Sequence, residues 1–517
     1  MGSNRHELIY ALADRIEMPT LVVPEGKRLP FGWCSFVVPP ANNSNKGSFL
    51  YWADPDDVAT SNEVSEGSVY FRVTVALDVR EEKSVEVRLA SSGRIIGVLD
   101  IRYAYVFQPF QIELSREDAQ LARCEGVELR MATGSEPLWL FMERECSLPS
   151  TLFVPHLLFD DNNQEVEQRL NSFLERMLSL DVVQEFSWMG GCVMDGLLAL
   201  GELDRSLLPP GSTPREALIR QLRLFLDESG QLTYENPKSV PADGRILDIE
   251  CTLPFGAIAK LWPDHPTLEL ALAFWKGHTG TDGAIQDGSL ISAEGSYTVA
   301  YPLAVLARER GDMEIAALAR RQLLSRRDRL TVGNDLFLRH ERHGEDGCHT
   351  FRNWARAYAW YMLGLAHTLK ELKAMSVGSR EYTNKYQTLA SVEEAELCEE
   401  FIRIAHIAIY HQRKDGLWAN FIDEPTITAD TSGSAGIAAA LAMGVRYGWL
   451  EPVASEAAEH AFAALKMRLT PDGLLTGVSQ SNRGGEKLQR GDYRVISQMA
   501  MGLMAQLYAT LLFIKQS

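Results

Sequence analysis

The chain has 517 residues, of which 46% are hydrophobic, and it carries a formal net charge of −18. Its length allows about two to four domains, and its apolar content is ample for large cores. The negative charge argues against a nucleic-acid partner, which requires a basic surface. No apolar run is long enough to cross a membrane, because charges interrupt every candidate, so we expect no membrane partner.

Cysteine usage indicates a reducing compartment. The seven cysteines are odd in number and widely spaced, and no Cys-x-x-Cys pair is present, so the pattern does not fit a disulfide framework. Residues 1–14 carry charges throughout and lack the apolar stretch of a secretory signal. We therefore expect a cytoplasmic protein.

The first part of the chain, residues 1–157, has the period-two patterns of β-strands. Residues 68–79 alternate and are rich in β-branched and aromatic side chains, as in a half-buried strand. Short strands separated by turn residues are typical of an antiparallel β-sandwich. We therefore predict a sandwich-like accessory domain, with further strands at residues 83–89, 94–101, 104–114, 127–132 and 137–142.

After residue 160 the pattern becomes helical, and long apolar helices alternate with turns. An Asp-Gly pair recurs in these turns at Asp282, Asp415 and Asp472, each between two helices. Repeated helical hairpins form either an open solenoid or a closed toroid, and the glycine-rich second helices favour the toroid. We therefore predict a mainly α domain over residues 158–517, an (α/α)6 barrel with helices at 164–180, 186–201, 214–228, 250–262, 266–277, 294–310, 312–325, 351–373, 391–413, 432–448, 452–468 and 494–515.

One predicted helix begins with aromatic residues around an arginine. Thr350 is its predicted N-cap, and Arg356 and Trp360 share a face because they are four residues apart, with Trp354 about half a turn away. An arginine fork binds a carboxylate through two parallel hydrogen bonds, and an aromatic ring stacks on a sugar. The pattern suits a sugar acid, but core aromatics beside a surface arginine would give the same sequence.

Three segments resemble the unsaturated glucuronyl and rhamnogalacturonyl hydrolases, that is, proteins similar to glycoside hydrolase families 88 and 105. Residues 353–360, Asn-Trp-Ala-Arg-Ala-Tyr-Ala-Trp, resemble the family element Trp-Gly-Arg-Gly-x-Gly-Trp. Residues 415–423 resemble its Gly-Leu-Trp…Asp turn, and residues 430–435, Asp-Thr-Ser-Gly-Ser-Ala, resemble a family helix start. The segments occur in the family's order, and the resemblance spans roughly residues 165–515. It implies a glycosidase on an (α/α)6 barrel.

The resemblance also implies an acidic residue near a helix start that serves as general acid and base. We map Asp248 to the family's first acidic residue and Glu294 to its catalytic aspartate, which is a glutamate in this chain. Glu250 and Asp287 compete for these roles. All four carboxylates would equally serve as helix N-caps.

The implied reaction removes a terminal, usually Δ4,5-unsaturated, uronic acid from the non-reducing end of an acidic oligosaccharide, without metal or cofactor. One carboxyl group protonates C4 and then activates a water that adds at C5; the resulting hemiketal opens and expels the aglycone. Arg356 would bind the substrate carboxylate. The other predicted substrate contacts are Trp354, Trp360, Trp418, His340, Tyr297 and Glu250.

Two alternatives stay open from the sequence. An exo-β-glucuronidase acting on saturated glucuronides would use Asp248 and Glu294 as two carboxylates flanking the glycosidic bond. A non-catalytic carbohydrate-binding protein would keep the arginine and the tryptophans without the acid. Residues 477–493 are expected to form a mobile loop at the barrel rim, or a disordered one. The β-rich region is expected to be a brace, a sugar-binding module or a dimer contact, so a homodimer is among the expected assemblies.

Overall fold

The structure is a computed structural model. It describes residues 8–42, 47–53, 67–143, 150–160, 165–227, 229–341, 348–378 and 384–516. Within these residues the chain changes from strands to helices between Phe159, the end of a strand, and Val166, the start of a helix. This change lies two residues beyond the predicted boundary at 157.

Antiparallel sheets form the N-terminal region, as predicted. In the described residues one sheet has the strand order β1-β11-β5-β8, a second has the order β2-β4-β9-β6-β7, and β3 pairs with β10. The elements are β1 Ile9–Leu12, β2 Arg15–Glu17, β3 Ser35–Val38, β4 Ser48–Tyr51, β5 Val69–Thr74, β6 Glu82–Leu89, β7 Ile95–Arg102, β8 Pro109–Leu114, α1 Arg116–Glu125, β9 Val127–Thr133, β10 Leu138–Phe141 and β11 His156–Phe159.

Alternating side chains give these sheets their buried faces. In β6 every second residue is buried, ending with Val85, Val87 and Leu89, which is the period of a strand with one face on a core. Trp52, just after β4, packs edge-to-face on Phe71 of β5 with ring centroids 6.4 Å apart. The core of the region therefore lies between its two larger sheets.

The remainder of the chain is mainly helical. Short strands interrupt the helices before α9 and before α14. The elements are α2 Val166–Met177, α3 Trp188–Leu200, α4 Pro214–Phe225, α5 Pro254–Leu261, α6 Thr267–Gly277, β12 Leu290–Ser292, α7 Tyr301–Arg310, α8 Met313–Leu330, β13 Thr331–Val332, β14 Asp335–Glu341, β15 Cys348–Arg352, α9 Ala355–Gly378, α10 Asn384–Tyr410, α11 Thr431–Arg446, α12 Ala454–Lys466, β16 Val478–Ser479, α13 Gly485–Arg490, β17 Arg494–Val495 and α14 Gln498–Gln516.

Helix contacts run around a closed ring. Helix α3 packs on α5, α5 on α7, α7 on α9, α9 on α11 and α11 on α14, and α14 packs back on α3. Outside them, α4, α6, α8, α10 and α12 pack on α3, α5, α7, α9 and α11, and α2 packs on α14. The described helices therefore close on themselves, as the toroid prediction requires and an open solenoid would not.

Small residues allow the inner helices to approach each other closely. A Cβ at Gly433 of α11 would lie 2.6 Å from the Cβ of Ala355 in α9, and a Cβ at Gly436 would lie 2.6 Å from that of Ala359. Real Cβ atoms do not come so close, so larger residues would push these helices apart. The Gly/Ala-rich sequence of α11 is therefore explained by its place in the inner ring.

The repeated Asp-Gly pairs are turns between successive helices. Gly283, Gly416 and Gly473 have φ values of 80°, 84° and 84°, a left-handed conformation that glycine adopts without steric cost. The first lies between α6 and α7, the second between α10 and α11, and the third between α12 and α14. The predicted repeat of turns is thus confirmed.

A buried charge network joins the β-rich region to the helical ring. Arg72 of β5 lies 2.5 Å from Asp472, and Arg176 of α2 contacts both Asp472 and Asp181. Burial alone would raise the pKa of Asp472, but the guanidinium groups of Arg176 and Arg72 hold it well below its usual range. The network ties the two regions together through ions that water does not reach.

None of the described helices combines the length and low charge that a membrane span needs.

Candidate active site

A cavity of about 330 Å³ lies where the inner helices begin. Its volume is at the lower end of the range for small-molecule sites. Its walls combine aromatic rings, two carboxyl groups and guanidinium groups from the helical ring, the segment before α14 and the β-rich region. The lining residues are Tyr105, Trp188, Glu250, Glu294, Arg339, Trp354, Arg356, Trp360, Asn482 and Arg483.

Two glutamates face each other in this cavity. Glu294 follows strand β12, and Glu250 lies in a short 3-10 turn before α5. The pKa of Glu250 is raised well above its usual range by burial and by the charges of Glu294 and Asp248, against the opposing effect of Arg339. The pair therefore retains a proton at pH values where an exposed glutamate has lost it.

The other two candidate carboxylates support this pair rather than line the cavity. Asp248 is an N-cap, since its side chain accepts a hydrogen bond of 3.1 Å from the Cys251 backbone N–H. Asp287 accepts a bond of 3.3 Å from the Ile249 N–H. Burial, and after it the charge of Asp248, raises the pKa of Asp287 to about 6. Asp248 and Asp287 thus act as caps of the short turn before α5, which is the structural role that the sequence analysis left open. Glu250 occupies the cavity position that the sequence analysis gave to Asp248.

Arg356 lies in the wall of the cavity as predicted. It is only 2% exposed, its Cζ lies 4.5 Å from the centre of the Trp354 ring, and it donates a hydrogen bond to the Gln480 carbonyl. Its Nε lies 4.0 Å from Asp430, which caps α11 by accepting from the N–H groups of Ser432 and Gly433. Burial lowers the pKa of Arg356, whereas the charge of Asp430 favours its charged form. The guanidinium is therefore held in one orientation at the cavity.

Trp360 lines the cavity and Tyr297 supports it from behind. Trp360 packs on Trp188 with ring centroids 5.2 Å apart, and on Tyr297 at 6.2 Å. Tyr297 is completely buried, and its hydroxyl donates a 2.6 Å hydrogen bond to Asp195. It lies in a π-helical turn, Ser296–Ala300, which leads directly into α7. The predicted direct contact of Tyr297 with substrate is therefore replaced by a contact with the back of Trp360.

Trp418, predicted to stack on the sugar, is a core residue. Its side chain is fully buried, and its indole N–H donates a 2.6 Å hydrogen bond to the Ala408 carbonyl of α10. A ring enclosed in this way has no face left for a ligand. The Gly-Leu-Trp turn therefore contributes to packing, and its tryptophan does not reach the cavity.

His340 and Thr350 belong to a β-hairpin that the sequence analysis did not predict. Strands β14 and β15 pair with Arg339 opposite Thr350 and His340 opposite His349. The His340 and His349 rings stack at 4.5 Å, and burial, followed by the charge of His349, lowers the pKa of His340. Because side chains alternate along a strand, Arg339 lines the cavity in place of its neighbour His340.

Helix α9 begins later than predicted, so Thr350 is not its N-cap. Phe351 and Asn353 have φ values of 54° and 55°, which a right-handed helix excludes. The helix starts at Ala355. Trp354 therefore lies at the bend between strand and helix, with its indole N–H 3.3 Å from the Gln489 side-chain oxygen.

The segment before α14 is folded, contrary to both expectations for residues 477–493. Strands β16 and β17 pair through Val478 and Val495, and α13 lies between them. The Gln489 side chain donates to the carbonyls of Gln480 and Ser481 at 2.8 and 3.0 Å. We call residues 478–495 the rim segment. Its position at the rim was predicted correctly, since it contributes Asn482 and Arg483 to the cavity.

Comparison with known proteins identifies the class. Residues 333–514 match the family model Glycosyl Hydrolase Family 88. A search of curated proteins returned no match. The match confirms the resemblance found in the sequence, and the protein is a glycoside hydrolase. The matched region contains six of the ten lining residues, which come from β14, the start of α9 and the rim segment.

Solved structures of similar fold include members and possible members of the GH105 family. A possible member of the GH105 family from Salmonella enterica serovar Paratyphi A is 14% identical with a TM-score of 0.55, covering 68% of this chain and 94% of that one. A glycoside hydrolase from family 105 of C. acetobutylicum is 16% identical with a TM-score of 0.53, covering 68% and 100%. A possible GH105 member from Klebsiella pneumoniae is 14% identical with a TM-score of 0.53, covering 69% and 94%. At these identities the likeness concerns the fold.

Proposed function

We propose that the ring of paired helices is an (α/α)6 barrel and that the enzyme removes a terminal Δ4,5-unsaturated uronic acid from the non-reducing end of acidic oligosaccharides. The main support is one arrangement: the Glu250–Glu294 pair and the buried Arg356 line the same aromatic cavity. A proton donor, a cation for a carboxylate and flat rings for a pyranose are what this substrate requires.

Arg356 is the proposed partner of the substrate carboxylate. Its Nε is buried and has no hydrogen-bond partner among the described residues, so a bound carboxylate would satisfy a donor that is otherwise unmatched. Trp354 and Trp360 would contact the sugar faces from the same wall. Asp430 and the Gln480 carbonyl hold the guanidinium in place before substrate arrives, which lowers the entropy cost of binding.

Glu294 is the proposed acid and base, and Glu250 is the residue that shares its proton. A proton passes from Glu294 to C4 of the ring double bond, and the resulting carboxylate accepts a proton from the water that adds at C5. The hemiketal then opens and releases the aglycone hydroxyl. Glu250 takes the place we gave to Asp248, because its pKa is raised well above the usual range, so that the pair holds a proton at pH values where an exposed glutamate has lost it.

The coupling between the two cavity glutamates favours hydration over the exo-β-glucuronidase alternative. Direct displacement needs two carboxyl groups with separate roles, one on each side of the glycosidic bond. After burial, the charge of Glu294 is the largest effect that raises the pKa of Glu250, as expected for two carboxyl groups that act as one proton-sharing pair. Hydration needs one acid/base at one position, so this pair supports hydration.

Absorbance tests the proposal, because the ring double bond conjugated to the carboxylate absorbs in the ultraviolet and hydration removes that absorption. Wild-type enzyme should bleach unsaturated uronyl disaccharides, and Glu294→Gln should not. Glu459→Gln is the matched control, since this glutamate is 46% exposed and pairs with Lys515 at the surface. Unchanged absorbance, together with release of saturated glucuronic acid from an aryl glucuronide, would instead support direct displacement.

A further inference from the structure

Arg483 differs from the other guanidinium groups of the cavity. Arg339 lies 3.9 Å from Glu250, and Arg356 lies 4.0 Å from Asp430, so each has an acidic neighbour. Arg483 forms no ion pair within the described residues; it donates a 2.9 Å hydrogen bond to the Pro237 carbonyl. Its Nη1 is buried and has no hydrogen-bond partner in the described part of the chain. A buried donor without a partner is costly unless a ligand satisfies it.

Glu185 is the carboxyl group whose pKa the charge of Arg483 lowers, but it does not neutralise Arg483. Burial raises the pKa of Glu185 to about 8, although the charge of Arg483 acts in the opposite direction. Near pH 7 this carboxyl is therefore largely protonated. Arg483 thus presents a positive charge to the cavity, and it forms no ion pair with a carboxylate of the described residues.

A tyrosine of the β-rich region holds Arg483 in this position. The Cζ of Arg483 lies 4.7 Å from the centre of the Tyr105 ring, and the Tyr105 hydroxyl lies 2.9 Å from the Ser481 hydroxyl. The Tyr105 ring also packs edge-to-face on Trp188 at 6.2 Å. A cation over an aromatic face is attracted to it, more strongly where water is excluded. Tyr105 therefore connects the β-rich region, the rim segment and the first inner helix at the cavity.

The backbone around Tyr105 is held in an unusual conformation. Tyr103 and Phe107 have φ values of 48° and 67°, which non-glycine residues adopt only at a cost of about 1 kcal/mol or more. The nearby Gln108 accepts a 3.1 Å hydrogen bond from Gln480 of the rim segment and donates one of 3.2 Å to the Ile496 carbonyl. The β-rich region thus contacts the rim segment through Gln108 as well as through Tyr105.

We propose that Arg483, positioned by Tyr105, binds a second anionic group of the substrate. The group is a sulfate ester or a carboxylate on the sugar next to the terminal uronic acid. This inference rests on the proposed function, and it makes the β-rich region a specificity element of the active site. The terminal uronic acid would occupy the end of the cavity near Arg356 and the glutamate pair, and its neighbour would face Arg483.

The test compares three disaccharides with the same unsaturated uronyl residue and linkage, in which the second sugar is neutral, sulfated or carboxylated. Wild-type kcat/KM should be higher for one or both anionic substrates. Arg483→Gln should lower kcat/KM for the preferred anionic substrate about 10- to 100-fold, the size of a charge-assisted hydrogen bond, with a clearly smaller loss for the neutral one. Arg483→Lys should recover part of the preference.

Tyr105→Ala tests the positioning role. It should raise KM for the anionic substrate with little change in kcat, whereas Tyr105→Phe, which keeps the ring, should have a smaller effect. Tyr51→Ala is the matched control, because Tyr51 carries a similar stacked guanidinium, that of Arg15 at 4.0 Å, in the sheet of the same region. An equal loss from Tyr51→Ala would show a general effect on stability and contradict the role of Tyr105.

The outcomes separate this inference from the proposed function. Activity on all three disaccharides at equal kcat/KM, or equal losses on all three in Arg483→Gln, overturns the second anion site and leaves the proposed function standing. No bleaching of any of the three overturns both. A preference for the sulfated or for the carboxylated substrate identifies which anion Arg483 recognises.

Discussion

Two clusters of acidic residues in this protein have opposite properties. In the cavity, carboxyl groups neighbour mainly one another, and the pKa of Glu250 is raised well above its usual range. At the junction of the β-rich region and the ring, Asp472 lies between Arg72 and Arg176, and its pKa is held well below the usual range. Asp472 is fully buried and the Glu250 side chain is 29% exposed; burial raises the pKa of both, and the charges of their neighbours make the difference in direction.

The difference separates a reactive site from a structural one. A carboxyl group that keeps its proton near neutral pH can donate it, as a general acid must. A carboxylate fixed between two arginines cannot, and its value is that it holds two parts of the chain together. Burial and charge alone would mark both clusters as functional candidates, whereas the sign of the neighbouring charges distinguishes them.

The largest expected effect is on turnover in the cavity cluster. Glu250→Gln removes the shared proton and should lower kcat about 10²- to 10⁴-fold, the usual contribution of general acid–base catalysis. The unfolding temperature should not fall, because the substitution relieves repulsion between like charges. Steady-state kinetics with thermal unfolding of the same samples checks both; a destabilised Glu250→Gln variant would show that this glutamate is structural as well.

The junction cluster should respond in the opposite way. Asp472→Asn leaves the buried Arg72 without its counter-ion and Arg176 with Asp181 alone, and it should lower the free energy of unfolding by about 3–5 kcal/mol. Asp415→Asn is the matched control: it occupies the corresponding Asp-Gly turn, but its side chain is 43% exposed, so a change below about 1 kcal/mol is expected. Denaturant unfolding measures both, and similar values for the two variants would contradict the structural role of the network.

The two clusters should also have opposite pH dependence. The folded-state pKa of Asp287 is about 6, above its unfolded value, so its contribution to the free energy of unfolding falls as the pH rises from about 4 to about 6. Asp287→Asn should therefore gain about 1–2 kcal/mol relative to wild type between pH 4 and pH 7. For Asp472, with a depressed pKa, stability is instead lost as the pH falls. Urea unfolding at several pH values checks the signs.

The smallest expected effects are those of two tryptophan substitutions, one in the core and one in the cavity wall. Trp418→Phe loses the hydrogen bond to Ala408 and should cost about 1 kcal/mol of stability with KM unchanged. Trp354→Phe, in the cavity wall, should raise KM several-fold with kcat changed less. A raised KM for Trp418→Phe, measured with the same disaccharide, would mean that its ring reaches the substrate after all.

What could be predicted from the sequence depended on how local the signal was. Arg356 and Trp360 could be placed together because residues four apart share a helix face, and the ring of hairpins followed from the repeated Asp-Gly turns. The burial of Trp418 and Tyr297 could not be predicted, since it depends on which helices pack over them. The sequence analysis placed His340 in the site, whereas the structure places Arg339 there. The reason is that the sequence showed no sign of the paired strands that set which side chains face the cavity.

The contribution of the β-rich region had no local signal. Tyr105 meets Ser481 across 376 positions of sequence, and neither lies in a recurring motif. Only the docking of the two regions, fixed by buried contacts such as Arg72 to Asp472, brings these side chains together. Long-range contacts of this kind are outside the reach of periodicity and motif arguments.

The reaction in deuterated water tests the central claim most directly. If the Glu250–Glu294 pair adds a solvent-derived proton to the ring double bond, the released sugar acid should carry one deuterium at C4, on one face only, and Glu294→Gln should yield no such product. Nuclear magnetic resonance of the product detects it. Release of a sugar without deuterium at C4 would show that the proton goes to the glycosidic oxygen and would contradict the hydration account.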